Sequence, residues 1–202
     1  MELLPVSKGH PPERALLAVA AGLRTLGENY LQECAAKDSW LRAAGAELVS
    51  WHLLGHLQRN KAKHAAQLFA CIEGVDSLEV ARRLSEARSG QPALAVLCEV
   101  ELTGLPSRSG FEPGRLEREF PQLQELPGIR VEGLMTVAEP GRGRQAFFRC
   151  RELAERLARA GGQALPTLSM GMSGDFQEAI EEGSTRVRLG SLLFGERPTR
   201  PG

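Results

Sequence analysis

The sequence predicts a (β/α)8 barrel of the TIM type, built as one domain over residues 1–202, and three observations carry that prediction. Short apolar, β-branched runs alternate with longer segments of helical periodicity, the pattern of βα units feeding a parallel sheet. Strand starts fall near residues 3, 23, 47, 71, 94, 129, 165 and 186, a spacing close to one minimal βα unit each. No linker interrupts the series. About 250 residues is typical for such a barrel, so an open doubly wound sheet is the alternative.

The elements follow in order. Leu3 to Ser7 is the first strand, and Pro11-Pro12-Glu13 opens a helix because proline is tolerated in a first turn. Gly22 stops that helix. Leu23 to Gly27 is strand two, followed by a helix over Leu31 to Ala44 that ends at Gly45. Glu47 to Leu53 is strand three, Gln58 to Phe69 a helix, and Cys71 to Val75 strand four. Asp76 or Ser77 caps the helix Leu78 to Arg88, and Leu94 to Leu102 is strand five. A polar loop, Thr103 to Gly110, precedes the helix Arg115 to Leu126, where Pro121 predicts a kink. Ile129 to Val137 is strand six, and Arg144 to Ala160 is an amphipathic helix ending at Gly161-Gly162. Leu165 to Met170 and Arg186 to Leu189 are strands seven and eight, separated by the helix Phe176 to Glu182. The remaining tail carries Pro198 and Pro201, so no eighth helix is expected there.

Composition removes several function classes. Lys plus Arg and Asp plus Glu each total 25, so the net charge is zero and no basic excess exists to neutralise a nucleic-acid backbone. Apolar runs such as Leu94-Ala-Val-Leu-Cys98 fall far short of the roughly 20 residues of a membrane span. Met1 to Lys8 has no secretory-signal pattern, which makes the cytoplasm the expected location. Cys34, Cys71, Cys98 and Cys150 lie far apart without a C-x-x-C pair, as buried, reduced thiols do, and neither zinc nor a disulfide framework is implied.

Both candidate architectures place function at the C-terminal ends of the strands. Lys8 closes the first strand. Only four lysines stand against 21 arginines, and Lys37, Lys61 and Lys63 fall on predicted helices where exposure is the natural reading. A partly desolvated lysine at a barrel mouth has a lowered pKa and can form a Schiff base with an aldehyde; the plainer reading is a strand-end lysine reaching for water. Met170-Gly-Met-Ser-Gly-Asp-Phe176 joins a strand to a helix through two glycines, a turn that exposes backbone N–H groups to phosphate or simply caps the helix. Arg188-Leu-Gly-Ser191 is a second glycine-bearing mouth, and barrels often bind phosphate in the loops after strands seven and eight.

His52 and His56 stand four apart, but position 53 is Leu, which removes the metalloprotease pattern, and Gly55 marks a strand-to-helix turn. No metal is expected. His52 at its strand mouth faces a ligand in this reading, and His56 makes a structural hydrogen bond. Glu28 and Asn29 end strand two as an acid and an amide, either able to cap the next helix. The glycine signatures of dinucleotide, nucleoside-triphosphate and serine-hydrolase sites are absent.

Taken in order, these segments resemble the pyridoxal phosphate homeostasis family, single-domain relatives of the alanine racemase barrel. The matching stretches are Pro-Val-Ser-Lys8, Gly-Glu-Asn-Tyr-Leu-Gln-Glu33, Trp-His-Leu-Leu-Gly-His-Leu-Gln-Arg-Asn-Lys61, Val-Asp-Ser77, Ser-Arg-Ser-Gly-Phe111, Gly-Leu-Met135, Leu-Ser-Met-Gly-Met-Ser-Gly-Asp175, and Gly-Ser-Thr-Arg-Val-Arg-Leu-Gly-Ser191 with Phe-Gly-Glu-Arg197. Each is weak alone; in register they cover nearly the whole chain.

The resemblance implies pyridoxal 5'-phosphate as cofactor and Lys8 as its Schiff-base lysine. It makes Ser173, Gly174, Gly190 and Ser191 the phosphate cradle and Arg188 the partner of the pyridine nitrogen, with Asn29, His52 and Met170 lining the cofactor. The implied function is storage and delivery of the cofactor to client enzymes without strong catalysis, by a monomer or weak homodimer. The alternative is a small amino-acid racemase, which needs a second acid or base opposite the lysine. The sequence departs from the family at Glu101, Leu105 and Arg108, where the family usually has an Asn ending strand five and a Glu and a Lys in the loop. The family also usually begins with a helix before the first strand, which this sequence lacks; an apolar wall beside strands one and eight is then expected to face solvent.

Overall fold

A computed structural model describes residues 1–46, 48–105 and 108–197. Strand β1 (Glu2–Pro5) is followed by α1 (Pro12–Ala20), β2 (Thr25–Glu28), α2 (Leu31–Ala43), β3 (Ser50–Leu53), a 3-10 turn (Arg59–Lys61) leading into α3 (Ala62–Leu68), β4 (Cys71–Val75) and α4 (Leu78–Ala87). The second half runs β5 (Leu94–Glu99), α5 (Pro113–Gln124), β6 (Ile129–Met135), α6 (Gly143–Gly161), β7 (Thr167–Ser169), α7 (Phe176–Glu181), β8 (Arg186–Leu189) and α8 (Ser191–Phe194).

All the strand pairs are parallel, in the order β1-β8-β7-β6-β5-β4-β3-β2. The ends of this sheet meet through a parallel bridge between Val6 and Gly27, and the Ser7 amide donates to the Gly27 carbonyl at 3.1 Å. The eight-stranded barrel expected from the sequence is therefore the fold, and the open sheet is set aside.

The expected strands exist at the expected places; β4 and β8 have the expected bounds and the other six are shorter. β5 ends at Glu99 rather than Leu102 because the chain turns there to bridge Val100 with Phe111. β3 begins at Ser50; the expected start at Glu47 lies outside the described residues. Ser77 is the cap of α4, its hydroxyl accepting from the Val80 amide, and α5 continues through Pro121. Neither Glu28 nor Asn29 caps α2, which starts from Tyr30 without a side-chain cap.

One expectation is overturned: α8 forms after the last strand. It is a single turn that ends before Pro198, so proline never enters it. Lys37 is a second correction. Placed on α2 as expected, it is only 3% exposed instead of solvated, because α2 turns it inward beneath the end of β1. Lys61 is half-buried and Lys63 exposed.

Between strands and helices lies one continuous apolar layer that includes Leu26, Ile72, Val96, Leu134, Phe120 and Phe147. Alternation along each strand sends the other side chains into the barrel, where Cys71, Leu97 and Met135 form a small buried apolar cluster with Ala95 and Val137 beside it, and Leu4 is buried in register with Arg188. The outward wall is uneven beside β1: Leu3 is 41% exposed, whereas its register partner Val187 is 5% exposed.

Candidate functional site

A cavity of about 850 Å³ opens at the C-terminal ends of the strands. Lys8, Asn29, Ser173, Gly174, Arg188, Gly190 and Ser191 all line it, so seven sequence-picked residues from four strand ends meet in one place. Close packing of the rim explains one of the glycines between them. A Cβ on Gly55 would lie 2.2 Å from the Asn29 carbonyl oxygen, so only glycine lets the loop after β3 lie against the end of β2.

Lys8 is half-buried, and among the described residues no carboxylate lies within ion-pair distance of it. Burial first, then the charges of Arg197 and Arg188, hold its ammonium pKa below the ordinary lysine range; Glu28 and Glu33 act in the opposite direction. The result is an amine available as a nucleophile closer to neutrality than a surface lysine.

Across the rim, two turns present backbone donors. In the turn after β7, the Met172 amide donates to Asp175 Oδ1 at 2.6 Å, and the amides of Asp175 and Phe176 are taken by the Met172 carbonyl. The amides of Ser173, Gly174, Gly190 and Ser191 give no hydrogen bond to another described residue. A Cβ on Gly174 would meet nothing within 4 Å, so the space beside it is open. Unpaired N–H groups gathered with two small hydroxyls fit the oxygens of a phosphate.

Arg188 is 5% exposed and rigidly held. Its Nη1 donates to the Ser169 carbonyl (2.6 Å) and hydroxyl (2.9 Å), and its Nη2 donates to the Thr136 carbonyl (2.8 Å). The network continues inward. Ser169 donates to Glu73 Oε2 at 2.5 Å, Glu73 Oε1 accepts from Arg186 at 2.8 Å and lies 2.9 Å from His52 Nδ1, and Arg186 reaches Glu2 at the opposite end of the barrel. Burial opposes ionisation of Glu73, but the hydrogen bond from His52 and the charge of Arg186 outweigh it, so its carboxyl sits below the ordinary range.

Two of the expected lining residues are not among those that line this cavity. His52 does not reach the cavity, because its ring turns into the barrel interior toward Glu73. Met170 is fully buried in the outer apolar layer. His56 makes the expected structural contact, Nδ1 to Asp76 Oδ2 at 2.6 Å, and also lines the cavity. His52, Cys71 and Glu73 offer ligand atoms within 4.8 Å of one another. Yet Arg186 already neutralises Glu73, and burial pushes the Cys71 thiol far up, so the trio is built as a hydrogen-bonded interior.

Other residues complete the cavity. His10 and Arg197 join from the β1 turn and the segment after α8, and Glu99 enters from β5 with the Ser109 hydroxyl 3.1 and 3.2 Å from its two oxygens. Burial raises the Glu99 carboxyl above the ordinary range. Charged residues in otherwise apolar strand runs, such as Glu73 in Cys71-Ile-Glu-Gly-Val75 and the Arg-Val-Arg of β8, were the available signal for the interior network.

Fold and site together define a parallel barrel with a lysine at its first strand mouth and a donor-rich rim after its seventh and eighth. Comparison with known proteins narrows that class. The family model for the alanine racemase N-terminal domain matches residues 2–198. A pyridoxal phosphate homeostasis protein of Pseudomonas aeruginosa is 44% identical over 96% of this chain and 84% of its own length; that of Escherichia coli K12 is 36% identical over 96% and 85%. PipY of Synechococcus elongatus, solved with pyridoxal phosphate bound, superposes with a TM-score of 0.89 at 38% identity, covering 96% of this chain and 92% of that one. An alanine racemase of Clostridium difficile shares the fold at a TM-score of 0.75 and 20% identity, over 99% of this chain and 53% of that one. The chain belongs to the alanine racemase N-terminal domain family and, within it, to the pyridoxal phosphate homeostasis proteins. Among the described residues no helix is long and apolar enough to cross a membrane.

Proposed function

We propose that this chain binds pyridoxal 5'-phosphate through Lys8 and the rim of Ser173, Gly174, Gly190 and Ser191, and serves to hold and release the cofactor without strong catalysis. The observation that carries the reading is one cavity shared by a desolvated lysine and four backbone amides that, among the described residues, have no ion-pair partner and no acceptors respectively. The naming of relatives as pyridoxal phosphate homeostasis proteins, and the cofactor bound in PipY, support it. When bound, the group supplies an aldehyde that a lysine amine can hold covalently and reversibly.

Each residue has a task in this reading. Lys8 forms the covalent Schiff-base link, the rim amides and the Ser173 and Ser191 hydroxyls take the phosphate oxygens, and Asn29 lies alongside. Arg188 remains protonated, so it donates to a pyridine nitrogen and cannot give up a proton there. A ring nitrogen kept unprotonated withdraws electrons weakly, which suits storage more than carbanion chemistry. Delivery to client enzymes, by a cytoplasmic monomer or weak homodimer, completes the proposal.

Amino-acid racemisation is the second reading, and one observation speaks for it. Tyr30, the single tyrosine, is exposed and away from the cavity, but Glu99 enters the cavity from β5, four strands from β1 in the barrel order. Incubation with amino acids in D2O separates the two, since storage predicts no enzyme-dependent exchange at Cα. For the primary reading, purified protein mixed with pyridoxal phosphate should show a visible chromophore that borohydride fixes on the peptide containing Lys8. Fixation at Lys37, Lys61 or Lys63 instead, or none at all, overturns it.

A further inference from the structure

We infer that Lys37, with Glu28 and Glu33, is the positioning device for Lys8: a buried ion cluster outside the barrel that grips the backbone on both sides of the reactive lysine. The inference rests on the reading of Lys8 as the covalent attachment point.

Lys8 itself sits in a tight turn. The His10 amide donates to the Ser7 carbonyl at 3.1 Å, and Gly9 takes a φ of 73°. That conformation favours glycine, and a Cβ there would also lie 2.9 Å from Arg197 Cδ. A turn of this kind at a strand end is free to rock unless something outside it fixes both flanks.

The cluster supplies the fixing. Lys37 Nζ donates to the Ser7 carbonyl at 2.6 Å, to Glu28 Oε1 at 2.5 Å and to Glu33 Oε1 at 2.8 Å, which uses all three ammonium hydrogens. The Ser7 hydroxyl donates to the same Glu28 oxygen at 2.6 Å. On the other side of Lys8, the Gly9 amide donates to Glu33 Oε1 at 2.6 Å. The residue before Lys8 is thus held by carbonyl and side chain, and the residue after it by its amide. None of these three charged residues lines the cavity.

Stability alone does not account for the cluster. Two carboxylates surround one lysine, Glu28 is fully buried, and its Oε2 has no hydrogen-bond partner among the described residues. Burial pushes its carboxyl above the ordinary range against the pull of Lys37 and Ser7. An apolar contact between α2 and the end of β1 avoids that cost. What the ionic version adds is a fixed direction for the Cα–Cβ bond of Lys8. The charged groups that face Lys8 are Arg197 from the segment after α8, Arg188 from β8, Glu28 from β2 and Glu33 from α2, so the cluster also contributes to the field at its amine.

The test compares two reagents on wild type, Lys37→Met and Glu33→Ala, which removes the acceptor of the Gly9 amide, all shown to be folded by circular dichroism. Pyridoxal phosphate requires an oriented amine: Nζ of Lys8 adds to the aldehyde carbon, water leaves, and borohydride reduces the C=N bond to a stable secondary amine. Formaldehyde with cyanoborohydride methylates the same amine without needing a docked orientation. Labelling of the Lys8 peptide is followed by mass spectrometry against pH with each reagent. At the alkaline plateau, both variants should react with pyridoxal phosphate about tenfold more slowly than wild type, with formaldehyde methylation within about twofold. A folded variant whose plateau rate with pyridoxal phosphate matches wild type overturns the positioning role, as does an equal loss with both reagents. If Lys37→Met does not fold, Glu33→Ala, at a position whose side chain is partly exposed, decides by the same criteria. Wild type that reacts at Lys8 with formaldehyde but not with pyridoxal phosphate refutes the cofactor reading instead, so the two failures are distinguishable.

Discussion

Apart from the Lys37 cluster, the inside and the outside of this barrel are stabilised by opposite means. Outside the strands, helices and sheet share an apolar layer in which Leu84, Leu116 and Phe147 are fully buried. Inside, the wall carries Glu73, Arg186, Arg188, His52 and Ser169 in one hydrogen-bonded network, beside a small apolar cluster of Cys71, Leu97 and Met135. Apolar contact is non-directional and gives cohesion, whereas buried hydrogen bonds are directional and give geometry. The difference places the device that aims Arg188 inside the barrel and leaves cohesion to the layer around it.

Breaking the inside should have the largest effect. Glu73→Ala removes one of the two carboxylate partners of Arg186, which keeps Glu2, together with the acceptor of Ser169, and breaking a buried pair costs up to about 3–5 kcal/mol. Urea unfolding monitored by circular dichroism checks this, and a loss under about 1 kcal/mol shows that water replaces the carboxylate without penalty. In the outer layer, Leu84→Ala should cost about 2–5 kcal/mol through lost burial and a cavity, while the affinity for pyridoxal phosphate stays as in wild type. Equal damage to both properties would erase the division between cohesion and geometry.

Arg188→Ala sharpens the comparison at the site. Loss of a charge-assisted hydrogen bond should weaken pyridoxal phosphate binding by about 1.5–3 kcal/mol and shift the chromophore. Titration by absorbance measures both, and an unchanged spectrum places Arg188 away from the ring.

The smallest expected effect is in pH dependence, where two buried carboxyls act with opposite sign. Glu73 is held below its unfolded value by His52 and Arg186, so its contribution is present above the ordinary carboxylate range and is lost as pH falls through its folded pKa. Glu99 is raised by burial; its contribution is present at acid pH and is lost as pH rises through its folded pKa. Glu28 is raised by burial as well, so Glu99→Gln should reduce the loss of stability on passing upward from the carboxylate range without abolishing it, and leave the acid limb in place. Thermal unfolding scanned across pH reads this directly, and a Gln variant with the wild-type slope on the alkaline side contradicts the assignment.

Much of this protein is legible in its sequence because the relevant physics is local. Short continuous apolar runs such as Leu94-Ala-Val-Leu-Cys98, glycines at strand ends and the helical spacing between them define βα units, and the right-handed crossover leaves few ways to arrange eight of them. Lys8, the Ser173-Gly174 turn and the Gly190-Ser191 turn were readable for the same reason, since each occupies the end of a recognisable strand. Tertiary structure alone decided the rest. Whether His52 faces a ligand or Glu73 depends on which way its ring turns once 20 residues of intervening chain have brought β4 alongside β3. Lys37 lies on an ordinary-looking helix, and only the docking of α2 against the ends of β1 and β2 makes it a buried cation with three acceptors. A buried charge survives only where its partners converge from several strands and helices, and that convergence is set by packing across the whole barrel rather than by any stretch of sequence.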